Sequence, residues 1–286
     1  MYSLREAIVA AEKGGFALGH FNISDSNQLN AVVAAAEKLG QPVIIGVSEG
    51  EREFVGVREV AALVQAKRSE RQPVYLNADH TYSIEGVKAA IDAGFDAVIF
   101  DGSHLPLAEN IEKTRECVAY ARASGRDVLV EGEIGRIGTS SKLLDTVPDD
   151  FDAELTNPDE AAQFVRESGV DLLAPAVGTM HGRLKSGVEP KIDAARIAKI
   201  REAAGVPLVL HGGSGSSDDD FVAAIKAGIA VVHINTDIRV AYRKGLEHDL
   251  ASDTEEIAPY RFLSEGVEGV EQLAEKYIKL FSSLQS

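Results

Sequence analysis

The chain of 286 residues is short of cysteine, of positive charge and of long apolar runs. Its single cysteine, Cys117, cannot form an internal disulfide, so a reducing compartment is expected. It falls in a helical stretch, where packing accounts for a thiol better than nucleophilic chemistry does. Lys and Arg number 29 against 45 Asp and Glu, a formal charge of −16. That balance argues against a nucleic-acid backbone or an anionic membrane as partner. Small phosphorylated ligands stay open, because local amides and a metal ion can bind an anion on an acidic protein. No apolar run approaches bilayer length. The N-terminus, Met1 to Ala7, starts an amphipathic helix and has no basic head or apolar block of a secretory signal. These absences predict a soluble, cytoplasmic protein.

What the chain does have is alternation. Eight runs carry strand character: Phe16–Asn22, Pro42–Ser48, Val74–Asp79, Ala97–Gly102, Val128–Gly135, Leu172–Gly178, Pro207–Gly213 and Ile229–Thr236. They are rich in Val, Ile and Leu without strict alternation, as expected of parallel strands covered on both faces. Helical stretches lie between them: Ser26–Leu39, Ile84–Ala93, Leu107–Ala123, Pro158–Ser168, Ile192–Ala203 and Ser217–Ala227. Gly40, Gly94, Gly125, Gly169, Gly205 and Gly228 sit where helices end. Eight such units predict an α/β fold, a single (β/α)8 TIM barrel spanning 1–286 as one domain. An open doubly wound sheet is the alternative, but no compositional break marks a second domain. Two segments exceed a minimal barrel. Arg136–Asn157 is long and polar, as lids are, and Ala241–Ser286 reads as extra C-terminal helices broken at Pro259.

In a barrel the strand C-termini form the active face. Those ends carry Asn22, Glu49, Asp79 with His80, Asp101, Glu131 with Glu133, His181, His211, and Asn235 with Asp237. One histidine alone is as readily a packing residue as a ligand. Three at three strand ends, His80, His181 and His211, suit Zn²⁺ and leave a coordination position for substrate. Asp79 beside His80 is either a proton-transfer group or a partner that fixes the imidazole. Glu131 and Glu133 share one side of their strand and face the metal region or pair with Arg136 or a lysine. His20 and His248 read as structural or surface residues, and His104 as a group that orients a neighbour. The run Gly212-Gly213-Ser214-Gly215 leads into a helix, where backbone amides can approach a phosphate. Asp218-Asp219-Asp220 reads as a helix N-terminal charge cluster.

Taken together, these residues resemble the class II, metal-dependent fructose-bisphosphate and tagatose-bisphosphate aldolases over nearly the whole chain. The matching pieces are Asp79-His80, Ile99 to His104, Glu131-Gly132-Glu133-Ile134-Gly135, Gly178-Thr179-Met180-His181-Gly182 and Leu210 to Gly215. The resemblance implies that His80, His181 and His211 hold zinc, with cobalt or manganese as alternatives, and that Asp79 is the proton donor and acceptor at the cleaved carbinol. It ties Asp101 and Glu133 to a second or transient metal site. Asn22, Gly182, Gly212, Gly213, Ser214, His233, Asn235 and Thr236 would bind the substrate, its dihydroxyacetone phosphate half above all. A monovalent cation, Na⁺ or K⁺, would assist, and Arg261 would grip the far phosphate. The implied partner is a small phosphorylated sugar, and the implied assembly a homodimer or homotetramer.

The chain also departs from the family pattern. Asn77 stands where a histidine is usual, two residues before Asp79, and His233 stands where an asparagine usually faces the phosphate. Thr139-Ser140-Ser141-Lys142 lacks the usual loop carboxylate, so that either another group such as Asp145 takes its role or the proton step differs, and Arg261 is displaced by one place after Pro259. The first expectation is cleavage of fructose 1,6-bisphosphate. Tagatose 1,6-bisphosphate or another ketose phosphate is the alternative, and a non-catalytic metal- and phosphate-binding barrel the alternative of another class. A metal-dependent hydrolase ranks lower, because the His-x-His run common on strand one of such barrels is absent.

Overall fold

A computed structural model describes residues 2–68, 73–138, 141–147 and 155–282. Ten strands occur in it: β1 (Leu18–Asn22), β2 (Val43–Val47), β3 (Val74–Thr81), β4 (Ala97–Phe100), β5 (Leu129–Ile134), β6 (Leu143–Leu144), β7 (Leu172–Pro175), β8 (Arg183–Leu184), β9 (Leu208–Leu210) and β10 (Ile229–Ile234). Eight of them close a parallel barrel in the order β1-β10-β9-β7-β5-β4-β3-β2. These are the eight strands expected from the sequence.

The helices are α1 (Leu4–Gly14), α2 (Ser26–Leu39), α3 (Glu49–Val55), α4 (Val57–Lys67), α5 (Ile84–Ala93), α6 (Leu107–Ala123), α7 (Pro158–Ser168), α8 (Ala194–Ala204), α9 (Asp218–Ala227), α10 (Thr236–Ser252), α11 (Pro259–Phe262) and α12 (Ser264–Ser282). Asp25, Ser83, Asn157, Asp193 and Ser217 each cap a helix N-terminus through the side chain. The Asp193 cap is why α8 starts at Ala194 rather than at Ile192. Helices α3 and α4 were not anticipated. They fill the stretch between β2 and β3, and α3 carries Glu49, Gly50 and Glu51 of the site described below.

The two-residue period of each strand divides its side chains between two cores. Phe21, Ile45, Leu76, Val98, Val130, Leu173, Leu210 and Val232 face outward and pack beneath the helices. Leu18, Ile44, Tyr75, Ala97, Leu129, Leu172, Val209 and Val231, one from each barrel strand, face inward. Helix α1 closes that end of the barrel with Leu4, Ala7, Ile8 and Ala11, a stripe at helical spacing. Burying Leu4 and Ile8 there contributes about 1.5–3 kcal/mol each. One step further along the same inward rows, the residues turn polar: His20 and Asn22, Asn77 and Asp79, Glu131 and Glu133, His211 and His233, all buried. That polar layer lies at the C-terminal mouth.

Two loops meet over the mouth. β6, from the long segment after β5, pairs in parallel with β8, from the segment after β7. The amide of His181 also donates to the carbonyl of Ile137 at 2.9 Å. The C-terminal helices α10 and α12 pack on each other, and α12 packs on α2, so this part of the chain covers one side of the barrel. No helix among the described residues is long and apolar enough to cross a membrane.

Candidate metal centre and active site

Adjacent residues on a regular strand face opposite ways, yet Asp79 and His80 both reach the mouth. The register between β3 and β4 shifts between Ala78 and Thr81, and His80 has φ +39°, the one described non-glycine residue at positive φ. Such a backbone costs about 1–3 kcal/mol and persists only where its surroundings impose it. The bulge turns His80 onto Asp101, Glu133 and His211 while Asp79 keeps its inward direction. Across the mouth, Gly212 (φ +64°) lies so close to Met180 that an added Cβ would stand 2.6 Å from that residue's carbonyl. This approach brings the His181 loop and the His211 strand end together.

His80, Glu133, His181 and His211 form one cluster in which the four ligand atoms all lie within 4.8 Å of one another. The rings of His80, His181 and His211 are nearly perpendicular in pairs, with centroids 4.6–5.6 Å apart. Carboxylates fix two of the tautomers. His80 Nδ1 is 2.9 Å from Asp101 Oδ2, and His211 Nε2 is 2.8 Å from Glu131 Oε1. Each carboxylate takes an N–H, so the lone pairs of His80 Nε2 and His211 Nδ1 are left facing each other at 3.2 Å. Two bare lone pairs at that distance repel unless a cation lies between them. Nitrogens bound at about 2.0–2.1 Å to one tetrahedral zinc stand about 3.3 Å apart. His181 Nε2 and both oxygens of Glu133 are buried without a hydrogen-bond partner among the described residues. The donor set therefore fits a divalent metal.

The electrostatics agree. Burial opposes a charge on His80, but Asp79, Asp101 and Glu133 outweigh it and raise the imidazole to about 10. A proton thus takes the place a metal would fill. Burial and the two neighbouring histidines hold His181 neutral, far below its ordinary value. Burial, followed by the charge of Asp101, pushes Glu133 up to about 8. Burial works against ionising Asp79 as well, yet His80 foremost and then His233 keep it well below the usual carboxylate range.

Asp79 is held at one oxygen and approached at the other. Asn22 Nδ2 donates to Oδ2 at 2.8 Å, and His233 Nδ1 lies 3.3 Å from Oδ1. Asn22 also donates to Glu51 Oε2 at 2.9 Å, and Glu51 Oε1 receives Arg239 at 2.7 Å. A cavity of about 280 Å³ opens on this face, lined by Asn22, Asp79, His181, Gly182, Gly212, Gly213, Ser214, His233, Asn235 and Thr236, with Ser141 at its rim. Gly212 to Ser214 and the N-terminus of α10 meet there, and both favour an anion. Asp237 braces this corner by accepting from Gly215 N, Arg183 and Tyr277. Beyond His80 and His181 a larger recess of about 630 Å³ is lined by Ser48, Glu49, Gly50, Tyr82 and Arg239.

Nearly all the residues singled out in the sequence converge here, with two exceptions. Arg261 lies on α11, with a side chain 65 % exposed and paired with Glu256, and it lines neither lobe of the mouth. Asp145 is exposed and bonded to Lys185, so it does not replace the loop carboxylate at the mouth. Thr139 and Ser140 lie outside the described residues. Glu131 pairs with His211, which decides between the two partners left open for it. Of the structural and surface readings of His20, the structural one holds: its buried ring stacks on His233 within the polar layer. Glu51 and Arg239 were missed: both sit on helices, past the strand ends where ligands were sought.

A family model described as class II fructose-bisphosphate aldolase matches residues 2–286. The chain belongs to that family. It is thus an aldolase-type lyase, of a family that is generally metal-dependent, and the histidine cluster is in keeping with this. The fructose-bisphosphate aldolase of Geobacillus stearothermophilus is 37 % identical over 277 residues, covering 94 % of this chain and 93 % of the relative. The 6-phospho-5-dehydro-2-deoxy-D-gluconate aldolase of Shouchella clausii is 39 % identical over 279 residues, covering 96 % and 92 %. Among solved structures, the YdjI aldolase of Escherichia coli K12 superposes with a TM-score of 0.83 at 30 % identity, over 98 % of this chain and 97 % of the other.

Proposed function

We propose that this protein is a zinc-dependent ketose-phosphate aldolase that reversibly cleaves fructose 1,6-bisphosphate to dihydroxyacetone phosphate and glyceraldehyde 3-phosphate. One observation carries the proposal: the facing lone pairs of His80 and His211 lie beside an ionised Asp79, held by Asn22, at the edge of an anion-favouring cavity. His80, His181 and His211 hold the metal, with Glu133 and Asp101 serving a second or transient position. Cobalt or manganese fits the same nitrogens. When bound, the ion acts as a Lewis acid that polarises the ketone of the substrate.

The protein's own residues do the remaining work. Gly212, Gly213, Ser214 and Thr236 take the phosphate of the ketone half, and Gly182 and Asn235 line the same cavity. A monovalent cation assists at this end. Asp79, kept ionised, accepts the proton of the C4 hydroxyl as the C3–C4 bond breaks. The bonding pair stays on C3 of the three-carbon ketone fragment, which then takes up a proton from water, the other half leaves as an aldehyde, and Asp79 gives its proton back to solvent. In the reverse direction Asp79 returns the proton. Arg239, the only Lys or Arg among the described residues lining either lobe, takes the far anionic group in the role first expected of Arg261. The protein works as a homodimer or homotetramer.

A second reading has one observation in its favour. The Shouchella clausii relative is named for a substrate with one phosphate and, as a gluconate, one carboxylate. A single guanidinium serves a carboxylate as well as a phosphate. A coupled assay of the metal-loaded protein against fructose 1,6-bisphosphate, tagatose 1,6-bisphosphate and 6-phospho-5-dehydro-2-deoxygluconate tests both readings. The highest kcat/KM is expected with the fructose ester, and loss of turnover in a chelator. Preference for the gluconate ester selects the second reading. Turnover of none of the three, or turnover that survives the chelator, refutes metal-dependent aldol cleavage.

A further inference from the structure

His20, Asp79 and His233 form a second buried group with ligand atoms within 4.8 Å of one another. Its ring geometry is wrong for a metal. The two imidazoles are parallel to within 1° with centroids 3.4 Å apart, so their lone pairs lie in parallel planes and do not converge on one point. The arrangement follows from the sheet. His20 and His233 are register partners on neighbouring strands β1 and β10. His211, at the end of β9 on the other side of β10, brings its ring to 4.1 Å from His233, tilted by 28°. The His233 ring is thus flanked by a histidine from each neighbouring strand.

The His20 ring is fixed in turn. It lies over Gly46, where an added Cβ would stand 2.0 Å from its Cε1, and Asn77 Nδ2 is 3.2 Å from its Nε2. With His233 held this way, its Nδ1 faces Asp79 Oδ1 at 3.3 Å. Both atoms are buried, and neither makes a hydrogen bond among the described residues: the pair stands at bonding distance but out of line. The other oxygen of Asp79 is already taken by Asn22. An ionised carboxylate accepts only, so the imidazole nitrogen that faces it must carry the proton. Nε2 is then an acceptor, buried without a partner among the described residues, on a side chain that lines the phosphate-end cavity.

We propose that His233 is a positioning residue that clamps the proton-transfer carboxylate: propped by His20 and His211, its ring donates Nδ1–H to Asp79 Oδ1 and keeps Nε2 as an acceptor for a substrate hydroxyl. This rests on the assignment of Asp79 as the proton-transfer group. The clamp holds the carboxylate in one rotamer, so that the oxygen facing the substrate does not swing away when it gains the proton.

Three substitutions separate the two nitrogens. Asparagine places an N–H where Nδ1 stands, glutamine places a polar atom near Nε2, and phenylalanine keeps the ring but neither nitrogen. His233→Phe is expected to lower kcat about 10- to 100-fold, the worth of one hydrogen bond to a charged group. His233→Asn recovers most of that kcat with a raised KM, whereas His233→Gln stays at the kcat of the phenylalanine variant. Metal bound per chain is measured in each and is expected to equal that of the parent. Recovery by glutamine but not asparagine, or equal kcat in all three variants, overturns the clamp. An independent readout is the imidazole ¹⁵N spectrum, with His233 assigned as the signal lost in His233→Asn. A proton on Nδ1 is expected, and a proton on Nε2 refutes the proposal. The spectrum decides this even if the parent protein turns over no ketose phosphate, so failure of the clamp and failure of the assigned function are told apart.

Discussion

Acid should destabilise this protein through His20, and the size of the effect can be worked out. The ring is fully buried between Gly46 and His233. Burial lowers its pKa from the ordinary 6.5 to about 4, against a smaller opposing pull from Asp79. The unfolded chain therefore binds a proton at a pH where the folded protein still refuses one. Stability attributable to the neutral ring is fully present above pH 6.5 and is lost as pH falls from there to about 4. One pKa unit is worth about 1.4 kcal/mol, so the loss across that window is about 3 kcal/mol. The assay is urea unfolding of metal-free protein, kept in chelator, at a series of pH values for the parent and for His20→Leu. The absolute stability of the variant does not matter, because only the change in the difference with pH is diagnostic. The parent should lose about 3 kcal/mol more than the variant between neutral pH and about pH 4. Two curves that stay parallel would mean that His20 takes up its proton as easily in the fold as outside it, and the buried neutral stack would be wrong.

Other expectations concern the metal and the far end of the substrate. Replacing Glu131 with methionine frees His211 Nε2–H, lets the proton move to Nδ1 where it blocks the metal, and should weaken zinc binding about 10- to 100-fold in a competitive chelator titration; unchanged affinity would remove Glu131 from that role. Gly212→Ala puts a Cβ 2.6 Å from the Met180 carbonyl at a positive φ. It should cost about 1–3 kcal/mol in denaturant unfolding, and a neutral result would mean the two loops are not held in that approach. Arg239→Ala should raise KM for a bisphosphate about 10- to 100-fold and leave KM for the ketose monophosphate that lacks the far group near its parent value. A larger rise in Arg261→Ala would return that contact to α11.

Much of the fold was legible because its signals are local. Val- and Ile-rich runs, caps such as Asp25 and Asn157, and glycines such as Gly40 and Gly169 at positive φ mark where each element starts and stops. Helices α3 and α4 carry weak signals: α3 has seven residues, and Gly56 separates it from α4. The histidine cluster was legible because a barrel gathers strand ends at one mouth. Arg239 and Glu51 were not, since they reach the mouth from helices and no spacing along the chain reports that. Arg261 misled for the converse reason: it sits next to the expected proline, yet α11 holds it against Glu256 at the surface.

By itself the sequence determined the number and order of the βα units, the acidic surface and the set of imidazoles and carboxylates destined for one end of the sheet. These follow from periodicity, composition and chain direction, which act over a few residues at a time. Only the tertiary structure decided which nitrogen of each histidine is free. That depends on Asp101 facing His80, on Glu131 facing His211 and on a β-bulge that lets Asp79 and His80 share the mouth. A tautomer is chosen by whichever partner lies across the ring, and those partners come from strands that meet only when the barrel closes.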